Sequence, residues 1–170
     1  LEFGEKFTLD ELLYGLLLVS GNDVAETIAQ GLGGKREIFV SWMNDFAKKA
    51  GAVNTNFTTP SGLDEEGQYT TAYDLFSMGK YVFNRYPEIL AISTTREKYL
   101  PKNINHRAYL LRNKLLLLND FPIIGGKPGL GEQEMLSLVA LLEEDNRRIL
   151  ITIIRTPSIR HDLTQILKLL

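Results

Sequence analysis

Ser20 and Asn22 place a hydroxyl and a carboxamide two residues apart, at the end of an apolar run. Residues 12–23 read LLYGLLLVSGND, and the apolar positions predict a helix that stops near Ser20 before a second helix begins. A tight turn between two buried helices can hold polar side chains rigidly at the edge of a cleft, as a preorganised active site requires. Serine, glycine, asparagine and aspartate are also ordinary helix-stop and helix-cap residues. Taken alone, the triplet is therefore more typical of a structural turn.

Two further groups later in the chain could also do chemistry. Lys127, Pro128 and Gly129 follow a β-like segment, and taken alone they are typical of an exposed turn. Ser77 and Lys80 have the Ser-x-x-Lys spacing in which a lysine can activate a nucleophilic hydroxyl. They lie inside a predicted helix, however, and we interpret their spacing as a coincidence of common residues.

The first half of the chain is predicted to be mainly helical. Thr8 and Glu11 form a capping-box pattern, which predicts a first helix that runs to about Val19. A second helix is predicted to begin at Asn22 or at the residue after it, and the glycines at 31–34 end it. Ser20 would therefore lie where two helices meet.

Two more helices are predicted on either side of a long loop. Apolar residues recur at three- and four-residue spacing over residues 38–50, and among them we assign Trp42 and Met43 to the core. Residues 52–68 have no periodicity and are rich in Asn, Thr, Pro, Ser and Gly, so they are predicted to form a loop. The pattern at 71–74 begins a fourth helix, which a proline limits.

The second half of the chain changes character and is predicted to form a sheet. The Asp145-Asn146 connection suggests an antiparallel hairpin, and residues 162–169 are typical of a closing helix. The apolar runs are nearly continuous, so both faces of the sheet are predicted to be covered. The predicted strands are residues 93–99, 123–127, 135–142 and 149–156.

This order of elements predicts an α+β or α/β sandwich with a helical subdomain, and we assign it to the α+β class, in a single domain over residues 1–170. Residues 1–90 form its mainly helical part, and residues 91–170 form an antiparallel sheet flanked by helices.

The composition excludes several classes of function. A net charge of −2 carries no basic footprint for nucleic acid or for an anionic membrane surface. The absence of cysteine excludes thiol catalysis and zinc–thiolate sites, and only two histidines, far apart in sequence, argue against a His-rich metal site. We therefore expect no metal and no cofactor. Neither a signal peptide nor a membrane anchor is visible in a chain that does not begin with Met, and we expect sequence upstream.

Several stretches together resemble one family, the serine D-alanyl-D-alanine carboxypeptidases, which are low-molecular-weight penicillin-binding proteins related to class A β-lactamases. The resemblance runs over nearly the whole chain in the family's order, although no single stretch is decisive. Residues 4–13, 20–23, 59–64, 71–75, 86–90, 113–116 and 125–129 carry it, and they read GEKFTLDELL, SGND, TPSGLD, TAYDL, YPEIL, NKLL and GGKPG.

The resemblance implies a fold, a reaction and roles for residues. The fold would be β-lactamase/transpeptidase-like, and the enzyme would act on peptidoglycan stem peptides ending in D-Ala-D-Ala through an acyl-serine intermediate, outside the cytoplasm. Ser20 would belong to the proton relay, Asn22 would hydrogen-bond the substrate's peptide group, and Lys127 would add positive charge opposite them. Gly129 would let the substrate backbone lie against the edge strand. β-Lactam antibiotics would be further ligands.

The sequence departs from the family's pattern in its chemistry more than in its scaffold. The nucleophile's Ser-x-x-Lys motif is missing upstream of Ser20, so we expect both the nucleophile and the first strands of the sheet to lie outside this chain. Pro128 stands where the family has threonine, and it therefore lacks a hydroxyl that would bind the substrate's carboxylate. Glu134 and Met135 replace small residues, and Ile124 replaces an acidic one.

Three functional hypotheses remain open. The first is the larger part of a D,D-carboxypeptidase that is inactive without the missing segment. The second is a non-enzymatic relative that binds peptidoglycan or a protein partner, which Pro128 favours. The third is a β-lactamase-like enzyme, which the Ser-x-Asn motif allows and the TPSGLD stretch at 59–64 argues against.

Overall fold

The computed structural model describes residues 1–131 and 134–169, with the side chains of Leu116 and Leu117 left aside. Within these residues there are six helices, α1 to α6, which span Leu9–Val19, Asn22–Gly33, Arg36–Lys49, Ala72–Arg85, Pro87–Thr94 and Ile159–Leu167. Five strands, β1 to β5, span Glu97–Leu100, Tyr109–Arg112, Ile123–Leu130, Leu136–Glu144 and Arg147–Thr156, and a short 3-10 helix covers Lys114–Leu118. The predicted α+β class is confirmed.

Side-chain caps begin the first and fourth helices where the sequence predicts. The Thr8 hydroxyl accepts from the N–H of Glu11, and the Glu11 carboxylate accepts from the N–H of Thr8 at 2.8 Å, so the predicted capping box is present. Thr71 caps α4 by accepting from the N–H of Asp74 at 3.0 Å. Pro87 ends α4 because it takes the first turn of a new helix, where its missing N–H is not needed.

The main sheet has the antiparallel order β3-β4-β5, with Lys127 opposite Val139 and Pro128 opposite Leu138. Asp145 and Asn146 join β4 to β5 with φ values of 49° and 59°, the left-handed geometry of a two-residue hairpin turn. The predicted hairpin is therefore confirmed.

Helices cover both faces of this sheet, as the sequence predicts. On one face, α6 and the 3-10 helix close over an apolar cluster that includes Leu138, Ile153 and Leu163. On the other face, α4 approaches so closely that a Cβ on Gly79 would lie 2.9 Å from Val139 Cγ1. A second cluster, around Leu12, Val24 and Ile28, joins α1 to α2 in the helical half.

The predicted strand at 93–99 is wrong at its beginning. Residues as far as Thr94 continue α5, because the proline at the start of that helix favours helical φ. The strand begins at Glu97 and pairs with β2 in a separate two-stranded sheet, not with the main sheet. The closing helix also begins earlier than predicted, at Ile159, because Ser158 caps it.

The assignment of Trp42 to the core is also wrong. Trp42 is 50% exposed and Ile38 is 43% exposed, although both lie on the predicted helix α3. Met43 and Ala47 do face inward as predicted, and Phe39 rather than Ile38 or Trp42 completes their stripe. Helical spacing alone allows both stripes, and the packing of α3 against α2 selects the second.

Candidate active site

The turn between α1 and α2 is the first part of the site. Ser20 ends α1 in the left-handed region, with φ 55° and ψ 50°, and its N–H closes on the carbonyl of Gly15. A Cβ on Gly21 would lie 2.7 Å from Val24 Cγ2, so the turn needs glycine there. The apolar run therefore stops sharply, and the strained backbone holds the Ser20 hydroxyl at the helix junction.

Lys127 on β3 is the second part of the site, and the fold brings it to Ser20 from 107 positions further along the chain. The Lys127 ammonium donates to Ser20 Oγ and also to the carbonyl of Pro128 at 2.7 Å. This contact joins the helical part of the chain to the main sheet, and it places a cation beside a hydroxyl.

The surroundings of Lys127 make its ammonium easier to deprotonate. Burial, and to a smaller degree the positive charge of Lys114, lowers the pKa of Lys127 from its usual 10.5 to about 8. Both the charged and the neutral form are therefore accessible near neutral pH. A lysine of this kind beside a hydroxyl can exchange a proton with it during a reaction.

Asn22 and Gly129 complete the group of predicted site residues. Asn22 is the first residue of α2, and its side chain is exposed two residues beyond Ser20. Gly129 is exposed near the end of β3. The structure thus brings Ser20 and Lys127 into contact, while Asn22 begins the helix that follows Ser20 and Gly129 lies two residues beyond Lys127 on β3.

The main chain of β3 leaves one edge open at the site. Within residues 1–131 and 134–169, β3 pairs on one side only, with β4. The N–H of Gly126 points away from β4, toward Ser93 Oγ, whereas the N–H of Gly131 donates to the carbonyl of Met135 at 2.8 Å. Since successive N–H groups alternate along a strand, the backbone groups of Pro128 and Leu130 face the open edge with Gly126.

The sequence profile of the D-alanyl-D-alanine carboxypeptidases matches residues 1–158. The chain belongs to the D-alanyl-D-alanine carboxypeptidase family. It is 34% identical to D-alanyl-D-alanine carboxypeptidase DacF of Bacillus subtilis, in an alignment that covers 100% of this chain and 43% of that protein. It is 36% identical to D-alanyl-D-alanine carboxypeptidase DacB2 of Mycobacterium tuberculosis, over 87% of this chain and 50% of that one. The chain thus spans half or less of the length of these relatives.

Solved structures agree with this family. Penicillin-binding protein 5 of Haemophilus influenzae superposes with a TM-score of 0.84 at 28% identity, over 99% of this chain and 48% of that chain. A mutant of the Streptomyces K15 DD-transpeptidase superposes with a TM-score of 0.86 at 26% identity, over 99% and 70% of the two chains. The predicted penicillin-binding-protein and transpeptidase fold is therefore confirmed.

The residues that the sequence predicts to depart from the family's pattern lie along β3 and just beyond it. Ile124 is half-buried at an irregularity in the pairing of β3 with β4. Glu134 is exposed with φ 60°, and Met135 is half-buried beside it. Pro128 is half-buried, and because its nitrogen faces the open edge it removes no hydrogen bond to β4. The scaffold therefore accommodates the proline, although its edge loses one donor.

The Ser-x-x-Lys sequence at 77–80 has the structural role that the sequence predicts. Ser77 lies within α4 and donates to the carbonyl of Tyr73 at 3.0 Å, one helical turn back, while Lys80 is exposed. This pattern is a local helix contact.

Sequence reasoning assigned no role to three residues that the structure places near Lys127. Ser93 accepts from the N–H of Gly126, Asn113 binds the carbonyl of Ser93, and Lys114 lies close enough for its charge to act on Lys127. Asn113 and Lys114 belong to a stretch that resembles the family, which was the available signal. Ser93 gave no such signal, because the sequence predicts a strand at this position, whereas the residue lies on α5. In the part of the chain that the structure describes, no three His, Cys, Asp or Glu side chains gather as a metal site would require.

Proposed function

We propose that this chain forms one wall of the acyl-transfer site of a D-alanyl-D-alanine carboxypeptidase. The substrate is a peptidoglycan stem peptide that ends in D-Ala-D-Ala, and a serine nucleophile outside this chain attacks it. The contact between Lys127 Nζ and Ser20 Oγ carries this proposal, because it joins the two motifs that belong to opposite sides of the family's cleft. Family membership supports the reaction and a location outside the cytoplasm.

The proposed reaction has two steps. The nucleophilic hydroxyl adds to the carbonyl carbon of the penultimate D-alanine, the peptide C–N bond breaks, and the terminal D-alanine leaves as an amine. Ser20, held beside the Lys127 ammonium, relays the proton that the nucleophilic hydroxyl loses to the nitrogen of the leaving amine. Water then hydrolyses the acyl-serine ester. Asn22 binds the substrate's peptide group, Gly129 lets the substrate's backbone lie against β3, and the open edge of that strand aligns it.

Covalent labelling tests this proposal directly. The complete protein is incubated with benzylpenicillin, and its intact mass is measured before and after. A β-lactam can acylate the same serine, and the structure of Listeria monocytogenes penicillin-binding protein D2 is a cefotaxime-bound form. We expect one adduct per chain, and a weaker or slower adduct in Lys127→Gln. A complete protein that forms no adduct would overturn the enzyme proposal.

Pro128 favours a second candidate function, a catalytically inactive module that binds peptidoglycan or a protein partner. Proline supplies neither a hydroxyl for the substrate's carboxylate nor an N–H at the open edge. A hydrogen bond to a charged group is worth roughly 1.5–3 kcal/mol, so its loss lowers acylation by about 10- to 100-fold.

Two substitutions separate these candidates. In the enzyme, Pro128→Thr restores both groups and should raise the acylation rate constant about tenfold or more. Pro128→Ala restores only the N–H, so it is the matched control and should gain less. If neither variant is acylated while both fold normally, the binding module is the better description.

A further inference from the structure

Ser93 links helix α5 to the strand that carries Lys127. Its side chain is 2% exposed, and its hydroxyl donates to the carbonyl of Leu90 at 2.8 Å. The same oxygen accepts from the N–H of Gly126 at 3.2 Å, and Gly126 directly precedes Lys127. The backbone at Lys127 is therefore attached to α5 on the side of β3 that is not bonded to β4.

Asn113 links the end of α5 to the residue before Lys114. Its side-chain amide, 6% exposed, donates to the carbonyls of Ser93 at 2.7 Å and Thr95 at 2.9 Å. Its carbonyl oxygen accepts from the N–H of Leu115 at 2.9 Å, so Asn113 also begins the 3-10 helix. The buried side chain of Asn113 thus fixes both the backbone of Ser93 and the position of the next residue, Lys114.

The glycines of β3 make this attachment possible. A Cβ on Gly125 would lie 2.3 Å from Leu90 Cδ1 and 2.8 Å from Ser93 Oγ. A Cβ on Gly126 would lie 2.3 Å from the carbonyl oxygen of Val139. A side chain at Gly125 would therefore push α5 away from β3, and a side chain at Gly126 would collide with the main chain of β4.

A shared cavity shows why this attachment matters to the lysine. Ser93, Gly126 and Lys127 line a cavity of about 200 Å³, whose other walls are largely apolar. The shape of the cavity that Lys127 lines therefore depends on how closely α5 lies against β3. If the strand moved away from the helix, water would reach the lysine.

We propose that Ser93 and Asn113 are positioning residues, which hold Lys127 in its buried place beside Ser20 and keep Lys114 near it. Neither residue touches the reacting atoms, and each acts through the backbone of β3 or of the 3-10 helix. Their meaning for catalysis rests on the proposed carboxypeptidase function. Their effect on Lys127 does not rest on it and can be measured separately.

The test is the titration of the Lys127 side chain in the complete protein, followed by NMR of 13C-labelled lysine. Lys127→Gln identifies the resonance. We expect a wild-type midpoint near pH 8. Ser93→Ala and Asn113→Ala change no charge, and each should raise the midpoint by at least about half a pH unit, because the ammonium becomes better hydrated or moves from Lys114.

Thr94→Ala is the matched control on the same helix. Thr94 also donates to the carbonyl three residues back, that of Ala91 at 2.8 Å, but its side chain is exposed. We expect this variant to leave the Lys127 midpoint unchanged. A merely structural Ser93 would lower the melting temperature and leave the midpoint at its wild-type value, and that result would overturn the proposal. If Asn113→Ala does not fold, the milder Ser93→Ala still decides the question.

Penicillin labelling of the same variants separates the two proposals. A raised Lys127 midpoint with slower adduct formation supports both. A raised midpoint in a protein that is never acylated supports the positioning role and overturns the carboxypeptidase function. An unchanged midpoint with normal acylation overturns the positioning role and supports the carboxypeptidase function.

Discussion

Ser20 has a backbone conformation that serine rarely adopts, and this strain has a measurable consequence. The left-handed region is unfavourable for residues with a Cβ by roughly 1–2 kcal/mol, whereas glycine enters it freely. The turn requires a left-handed backbone at residue 20, and the proposed site requires a hydroxyl there. Serine at this position therefore adopts a conformation that is unfavourable for it. Backbone strain of this kind is characteristic of functional positions.

Two substitutions at Ser20 separate the strain from the hydroxyl. Ser20→Gly and Ser20→Ala both remove the contact with Lys127, but only glycine relieves the backbone. We expect Ser20→Gly to be more stable than Ser20→Ala by about 1 kcal/mol in urea unfolding. Both should lose penicillin acylation to the same degree. Equal stabilities of the two variants would contradict the presence of backbone strain at Ser20.

The pKa of Lys127 makes the stability of the protein depend on pH. Between pH 8 and 10.5 the unfolded chain holds this proton and the folded chain has released it, so the free energy of unfolding rises with pH across that window. Below pH 8 both states are protonated, and the charged lysine destabilises the fold. Lys127→Met should therefore stabilise the protein at pH 7, by an amount on the order of 2 kcal/mol. Chemical unfolding at pH 7 and at about pH 10 should show this advantage shrinking as pH rises.

At the scale of elements, a buried histidine joins the beginning of α1 to the β1–β2 connection. The ring of His106 stacks on Phe7, with 4.6 Å between ring centroids. Its Nδ1 lies 2.7 Å from the carbonyl of Arg107, and its Nε2 lies 3.2 Å from the carboxylate of Glu11. The hydrogen bond to Arg107, the carboxylate of Glu11 and the charge of Glu5 raise the pKa of His106 above 6.5.

This junction should weaken as pH rises. The contribution of His106 is fully present below pH 6.5 and is lost as pH passes its higher folded pKa. The pKa of Glu11 is lowered from 4.5, chiefly by the hydrogen bond from the N–H of Thr8, so its contribution is lost only in stronger acid. A double-mutant cycle with His106→Gln and Glu11→Gln should give a larger coupling at about pH 5.5 than at about pH 8.5. Equal coupling at both values would argue against a charged pair.

Local chemistry explains which elements could be predicted from the sequence. The capping box at Thr8, the helix stop at Ser20 and the Asp145-Asn146 turn depend on residues within a few positions, so their patterns were sufficient. The exposure of Trp42 and the separate β1–β2 sheet depend on which neighbour each element packs against. Pairing between distant segments leaves little trace in a single sequence.

The candidate site shows the same division. The residues Ser20, Asn22, Lys127, Pro128 and Gly129 could be chosen by resemblance to family motifs, and their roles remain predictions. The residues that hold the site in position could not be predicted, because Ser93 contacts β3 from a helix that the sequence did not predict. The depressed pKa of Lys127 also needed the fold, since it arises from burial and from the nearby charge of Lys114.

At the scale of the whole molecule, two apolar clusters could unfold together or apart. One cluster includes Leu163 beneath the main sheet, and the other includes Ile28 between α1 and α2. The contact between Lys127 and Ser20 and the approach of α4 to β4 join the two regions. The prediction of a single domain over residues 1–170 therefore implies one cooperative transition.

Paired core substitutions check this cooperativity. Leu163→Ala and Ile28→Ala should each lower the free energy of unfolding by about 2–5 kcal/mol. Hydrogen exchange should show lower protection in both regions for each variant. Leu169→Ala, at a position that is 86% exposed, should change the free energy of unfolding by less than about 0.5 kcal/mol. Loss of protection confined to the mutated region would show two independently unfolding units.

Pro128 has a consequence for the behaviour of the protein in concentrated solution. A free strand edge is a template on which a second copy of a protein can add a strand, and edge-to-edge pairing of this kind leads to aggregation. On the open edge of β3, the N–H of Gly126 is already bound to Ser93 and Pro128 has no N–H to offer. The proline therefore interrupts the row of donors, which disfavours the addition of a second strand along this edge. A Pro128→Thr protein that gained activity would also gain a donor in the middle of that edge, and with it a greater tendency to aggregate.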